Sequence, residues 1–136
     1  MEHSMTRPTQ RLPWQAAVAA GLLLADCLTF LFFGSLHAGA HPFGAAEPPI
    51  LPALIVESIC CVLTLGAGIA ILTRRTWALR AAVWAQSLAA GGVLLGVVSQ
   101  FRSGGTTLNF VYHRVILTIL VLGLIYVLIP SVRRSL

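Results

Sequence analysis

Four long apolar stretches constrain the fold of this chain more than any other feature. They cover residues 14–36, 50–73, 77–101 and 108–130, and each reaches the roughly 20 residues that a helix needs to cross a bilayer. Backbone polar groups inside lipid must find hydrogen bonds within the protein, so each stretch is predicted to be helical. The sequence therefore predicts an all-α membrane protein. We expect one integral domain in the lipid bilayer, an antiparallel up-and-down bundle of four transmembrane helices.

The charged residues are few and strongly biased towards arginine. Of the chain, 57% is apolar and 10% is charged, whereas a soluble domain carries about 25% charged residues. If the spans alternate in direction, most arginines fall on one side of the membrane: Arg7, Arg11, Arg74, Arg75, Arg80, Arg133 and Arg134. Arg102 and Arg114 fall on the other side. The net charge of +5 thus comes from arginines that flank the spans on one side of the membrane. No nucleic-acid partner is predicted.

The arginine distribution also predicts an orientation, because basic flanks are retained in the cytoplasm. We expect a multi-pass protein of the inner (plasma) membrane with both termini cytoplasmic and residues 37–49 outside. An alternative concerns the N-terminus. Arg7 and Arg11, the first apolar run and the small residues 38–40 together resemble a signal peptide with a cleavage site. Cleavage there would leave three spans.

Three ionisable residues are predicted to lie within the membrane, where such groups are costly and often functional. At about 1.5 Å per helical residue, Glu57 and Arg114 lie about 10 Å and 9 Å below the outer ends of their spans, and Asp26 about 15 Å. The similar depths of Glu57 and Arg114 predict an ion pair between spans two and four. Tyr112 and His113 precede Arg114, so these residues are candidates for a ligand or proton site at this end. The alternative is a cluster that simply holds the helices together.

Asp26 is the acid that this pairing leaves without a cation. We expect it to be protonated at neutral pH, because a low dielectric penalises the charged form. A hydrogen bond to a neighbouring side chain such as Gln86 on the third span would stabilise it. An exchangeable proton on Asp26 would also suit a proton-coupled transporter.

Other chemistry has weaker support in the sequence. His37 and His41 lie four residues apart, and His113 or Glu47 could join them around a metal, but Pro42 disfavours a helix there and no metal is predicted. Cys27 and Cys60 fall at similar depth and could pair. We expect these thiols and that of the third cysteine to stay free. No nucleophile and base are spaced recognisably, so an enzyme acting on a lipid or thiol is the least favoured of the functional hypotheses.

Small residues along one face of the third span predict close helix contacts. The face comprises Ala85, Ala89, Gly92 and Gly96, preceded by Ala81. Small residues let transmembrane backbones approach closely. The contact could lie within the bundle or between two copies in a homodimer.

The stretch ESICCVLTLG (57–66), followed by LTRRTWA (72–78), resembles the second helix and following turn of the DoxX-like membrane proteins. The resemblance implies four helices and makes Glu57, Gly66 and Arg74 the matching positions. The family's usual Gly-Lys ending of the first helix is replaced here by GSLH (34–37). The resemblance also implies association with a quinone-linked redox complex.

Two functional hypotheses follow. The first is a small accessory or binding subunit of a larger membrane complex, whose outward-facing polar cluster meets a quinone, a lipid headgroup or a partner protein. The alternative is a proton-coupled small-molecule transporter that acts as a homodimer through Asp26. Beyond a quinone, no cofactor is predicted.

Overall fold

The computed structural model describes residues 11–45 and 47–136, and within them every regular element is a helix. The elements are α1 (Trp14–His37), α2 (Leu51–Leu72), α3 (Ala78–Ser103), α4 (Thr107–Leu128) and the short α5 (Pro130–Arg133). A 3-10 turn, Pro42–Gly44, lies between α1 and α2. The first four helices are long and apolar enough to cross a membrane. The predicted four-helix bundle of a multi-pass membrane protein is therefore confirmed.

Helix boundaries follow from local chemistry and lie within one or two residues of the predicted spans. Thr106 caps α4, because its hydroxyl oxygen accepts from the Asn109 backbone N–H at 3.1 Å. At the other end, α4 stops at Leu128, two residues short of the predicted limit. Ile129 precedes Pro130 and has an extended ψ of 130°, as expected for a residue before proline.

The turns after α1 and α2 use the same capping geometry. Gly39 has a φ of 86°, and its neighbour's N–H bonds back to the Ser35 carbonyl at 3.0 Å. This is a Schellman motif, which glycine favours. Arg74, with a φ of 52°, takes the equivalent position after α2, where the Arg75 N–H bonds to the Ala70 carbonyl at 2.9 Å. The α2–α3 connection is short, and a hydrogen bond from the Ile50 N–H to the His37 carbonyl closes the longer α1–α2 connection, so successive helices run antiparallel.

The helices pack in chain order around the bundle, α1 on α2, α2 on α3 and α3 on α4, with a smaller α1–α4 contact closing it. Two ends can be defined. The terminal end holds both chain termini and the α2–α3 turn. The His37 end holds the α1–α2 and α3–α4 connections. Six of the arginines predicted for one side lie towards the terminal end, and the seventh, Arg7, is outside the described residues.

The core differs between the two ends. At the terminal end the buried side chains are mostly alanine, including Ala16, Ala20 and Ala82, which lets the helices approach closely. Towards the His37 end, the core contains the larger rings of Phe30, Phe33 and Tyr112. The central and loop cavities described below lie towards this end.

Candidate functional site

The connection between α1 and α2 places the polar residues of the His37 end. The His37 carbonyl, at the last residue of α1, accepts from the Ile50 N–H at 3.1 Å. This bond sets the start of α2 beside the end of α1. Glu57, almost two turns into α2, therefore faces the side chain of His37.

His37 and Glu57 make a short, buried side-chain hydrogen bond between α1 and α2. The His37 Nδ1 atom lies 2.7 Å from Glu57 Oε2, and the two side chains are 0% and 6% exposed. The carboxylate accepts, so Nδ1 carries the hydrogen. The other ring nitrogen, Nε2, is buried and has no hydrogen-bond partner among the described residues.

The predicted pairing of Glu57 with Arg114 is wrong. Arg114 is exposed on the outer face of α4, where its guanidinium carbon lies 3.2 Å from the centre of the Phe110 ring and 5.7 Å from that of Phe101. The helix packing explains the error, because α2 and α4 lie diagonally across the bundle. Tyr112 and His113 take the inward face of α4, which turns Arg114 outward. Equal depth does not imply a shared face.

Tyr112 is held by a stacked aromatic contact. Its ring lies parallel to that of Phe33 on α1, with centroids 3.4 Å apart and an angle of 9° between planes. The hydroxyl is buried beside the Glu57 carboxyl group and makes no hydrogen bond of standard geometry to another described residue. A buried hydroxyl without a partner is costly, by about 1–3 kcal/mol. This atom is therefore available to a ligand.

His113 packs against α3 through a glycine. A methyl group on Gly96 would overlap the Nε2 edge of the imidazole, so Gly96 is needed for the ring to lie where it does. The Nδ1 atom faces two partners, the Asn109 carbonyl at 2.9 Å and the Gln100 Nε2 amide nitrogen at 3.0 Å. A carbonyl requires a hydrogen on Nδ1, and an amide N–H requires a lone pair there. The two contacts thus correspond to different protonation forms of the ring.

Glu57, Tyr112 and His113 border a cavity of about 290 Å³, here called the central cavity. Its remaining walls are almost entirely apolar, formed by side chains of all four long helices such as Phe30, Val56 and Val93. Pro52 and Leu95 also line it and are exposed on the outer surface. The central cavity therefore opens sideways between α2 and α3, towards the lipid.

A second cavity of about 120 Å³, here called the loop cavity, lies beneath the α3–α4 connection. Glu47 lines it from the α1–α2 connection and accepts a hydrogen bond from the Thr106 hydroxyl. The other Glu47 oxygen, Oε2, and the Asn109 Oδ1 atom are buried and have no partner among the described residues. His113 and Gly96 border both cavities, so the cavities adjoin.

Asp26 lies apart from this cluster, in the interior of the bundle. It is 2% exposed, and its Oδ2 atom accepts a hydrogen bond of 2.9 Å from the Gln86 side-chain amide, as the sequence predicted. A methyl group on Gly123 would come within 2.8 Å of that amide nitrogen, so Gly123 makes room for Gln86 to reach α1. Asp26 borders neither of the cavities.

The three cysteines are free thiols. The expectation that the thiols stay free is confirmed, and the thiol that Cys27 contacts is Cys61 rather than Cys60, with 3.2 Å between the sulfur atoms. Cys60 is buried in the core beside Ala89 and Val93. Within residues 11–45 and 47–136, no three His, Cys, Asp or Glu side chains gather as metal ligands would.

The small-residue face of α3 lies inside the bundle. Ala85 and Ala89 are 2% and 0% exposed, and a methyl group on Gly92 would meet Val56 of α2 at 2.8 Å. Together with Gly96 against His113, these residues bring α3 close to α2 and α4. The face is thus used for packing within one chain.

Sequence reasoning missed His37 as the partner of Glu57 and Gln100 as a neighbour of His113. A signal for His37 was present, because it directly follows the apolar run of the first span and precedes the glycine that ends the helix. No comparable signal marks Gln100, whose role depends on how α3 and α4 pack.

Comparisons of the chain with family models, with characterised proteins and with solved structures find no match. The resemblance to the DoxX-like family therefore stays a prediction. Of its three positions, Glu57 belongs to the cluster described above, Gly66 faces open space, and Arg74 lies in the α2–α3 turn.

Proposed function

We propose that this protein binds a small lipid-soluble molecule with a hydrogen-bonding head group, of the quinone or phenol class, in the central cavity. The observation that carries the proposal is the buried Tyr112 hydroxyl, which borders an apolar cavity next to Glu57 and makes no hydrogen bond of standard geometry to a described residue. Ligand sites typically combine apolar walls with a few polar groups that fix orientation. A carbonyl or hydroxyl oxygen of the ligand would accept the Tyr112 hydrogen.

The size and opening of the cavity support this ligand class. Ligand pockets usually occupy roughly 300–1,000 Å³, so a cavity of about 290 Å³ suits a single-ring head group. The opening between Pro52 and Leu95 would let an apolar tail extend into lipid. Glu57 and His113, which border the same cavity, would supply further polar contacts to the head group.

Binding can be measured with the purified full chain in lipid nanodiscs and a short-tailed benzoquinone, by calorimetry. We expect Tyr112→Phe to weaken binding by up to about tenfold, the worth of one neutral hydrogen bond. Tyr126→Phe is the matched control, because the Tyr126 hydroxyl donates to the Gln15 carbonyl at 3.3 Å, near the terminal end.

A second variant tests the role of the central cavity independently of the Tyr112 hydroxyl. Ala53→Phe would fill the central cavity, which Ala53 lines, and should abolish binding. Ala17→Phe, on the exposed face of α1, adds the same ring outside the cavity. Absence of binding to the wild type, or equal binding by Ala53→Phe and Ala17→Phe, would contradict the proposal.

The accessory role in a larger, quinone-linked membrane complex is part of the same proposal. It is supported by the sequence resemblance and by a cavity suited to a quinone. Mild solubilisation followed by affinity purification tests it. Recovery of the chain with subunits of a redox complex is the expected result, and recovery of the chain alone would contradict this role.

The proposed orientation puts the terminal end in the cytoplasm and the His37 end outside. It is supported by the arginines gathered towards the terminal end. In a cysteine-free chain, an impermeant thiol reagent added to sealed cells should label a cysteine placed at Phe43, which is 99% exposed. Labelling of a cysteine at Thr76 instead would reverse the orientation.

The transporter hypothesis has less support. It depends on Asp26 as an exchangeable carboxylate, yet Asp26 is hydrogen bonded to Gln86 and lines neither the central nor the loop cavity. A pH-dependent efflux activity that is lost in Asp26→Asn would favour transport over binding.

A further inference from the structure

The loop cavity and the central cavity have one titratable side chain in common. Glu47 borders the loop cavity, Glu57 and Tyr112 border the central cavity, and His113 borders both. All of these side chains are less than a tenth exposed. His113 is thus the titratable side chain that connects the two cavities.

The loop cavity has the polar lining that water requires. Glu47 and Asn109, 5% and 6% exposed, each have a buried oxygen without a partner among the described residues. Buried waters typically occupy sites where such atoms remain to be satisfied, and each water takes about 30 Å³ in the liquid. A cavity of about 120 Å³ can hold several.

We infer that His113 exchanges protons between a hydrated loop cavity at Glu47 and the central cavity at Glu57. The inference rests on the proposed function for its purpose, since it would supply or remove a proton at the head group of a bound ligand. It does not depend on the identity of that ligand.

The two contacts of Nδ1 match the first and last forms of the ring in such an exchange. In the first form, Nε2 carries the hydrogen and the Nδ1 lone pair accepts from the Gln100 amide, 3.0 Å away. Nδ1 then takes up a proton from water in the loop cavity, which gives the imidazolium and a bond to the Asn109 carbonyl, 2.9 Å away. Transfer of the Nε2 proton to water in the central cavity, or to the Glu57 carboxylate that borders it, leaves the other neutral tautomer. One proton enters and one leaves, and the reverse exchange restores the ring.

The surroundings of His113 set the electrostatics of this step. The charged or titratable groups that face it are Glu57 from α2, His37 from α1 and Glu47 from the α1–α2 connection. The packed face of α3 contributes the uncharged Gln100. On its own helix, Tyr112 also faces the cavity, whereas Arg114 is directed outward.

Hydrogen–deuterium exchange at the Cε1 position of histidine, followed by mass spectrometry, tests this inference on the full chain in nanodiscs without ligand. His41, exposed in the α1–α2 connection, is the fast internal reference, and His37, 1% exposed, is the slow one. We expect His113 to exchange within about tenfold of His41, with a sigmoidal pH profile, because water reaches it without local opening of the fold. Exchange as slow as that of His37 would overturn the inference.

Two variants test whether the exchange at His113 depends on the polar lining of the loop cavity. Asn109→Leu removes a polar wall of the loop cavity but keeps the backbone carbonyl that His113 uses, and it should slow His113 exchange several-fold. Thr118→Leu is the matched control, since Thr118 is exposed on the same helix. A loss of exchange that is equal in both variants would indicate a general packing effect and overturn the inference.

The tautomers can be observed directly by ¹⁵N NMR of histidine-labelled protein. The wild type should show both neutral forms of His113, and Gln100→Leu should leave the form with hydrogen on Nδ1. A single unchanged tautomer in both proteins would overturn the exchange mechanism. Failure of quinone binding with rapid His113 exchange would refute the proposed ligand alone, and slow exchange with intact binding would refute this inference alone.

Discussion

Removal of His37 is the perturbation that most directly tests the described site. The His37–Glu57 contact is short, 2.7 Å, and both side chains are almost completely buried. His37→Leu puts an apolar side chain of similar bulk at the end of α1 and leaves the Glu57 carboxylate without this partner. Glu57→Gln removes the charge and keeps a hydrogen-bonding group.

The expected cost follows from burial. Removal of one partner from a buried pair typically costs about 3–5 kcal/mol, because the remaining charge is uncompensated, whereas an exposed pair contributes about 0–1 kcal/mol. We expect His37→Leu to fall in the former range. A charge-assisted hydrogen bond contributes about 1.5–3 kcal/mol, so the double variant should be less destabilised than the sum of the singles by about this amount.

The assay is the free energy of unfolding of each variant in detergent or bicelles, combined in a double-mutant cycle. A second cycle with Glu57→Gln and Arg114→Met is the control, because Arg114 lies over Phe110 and away from Glu57. Independent sites add within about 0.5 kcal/mol. Additive energies for His37 and Glu57, together with strong coupling between Glu57 and Arg114, would refute the pairing that the structure shows.

Two further predictions concern helix contacts. Gly123→Ala should destabilise the protein by about 1–3 kcal/mol, because its methyl group meets the buried Gln86 amide, whereas Gly66→Ala, in open space, should be neutral or stabilising by up to about 1 kcal/mol. Thermal unfolding of both variants, in the same detergent, decides this, and equal losses would contradict it. Copper-phenanthroline oxidation should link Cys27 to Cys61, whose sulfur atoms lie 3.2 Å apart, and leave the third cysteine free. Peptide mass spectrometry would contradict this if the third cysteine formed the link.

Much of the fold could be predicted from the sequence because each span carries its own signal. Length and apolarity are properties of one segment, and the breakers between segments are local too. The free-energy cost of placing an acid inside the membrane is likewise set by the position of that one residue in its span. Asp26 therefore pointed to a partner such as Gln86 before any packing was known, and the structure shows that hydrogen bond.

The candidate site depended on the rotation of each helix about its axis, which the sequence did not reveal. In a soluble bundle, a polar face marks the side directed to water. In a membrane bundle the lipid-facing side is as apolar as the core, so no such face marks the inward direction. The depth of Glu57 was readable, but its partner was not. Packing of α1 on α2 selected His37, and the rotation of α4 placed Tyr112 and His113 inside and Arg114 outside.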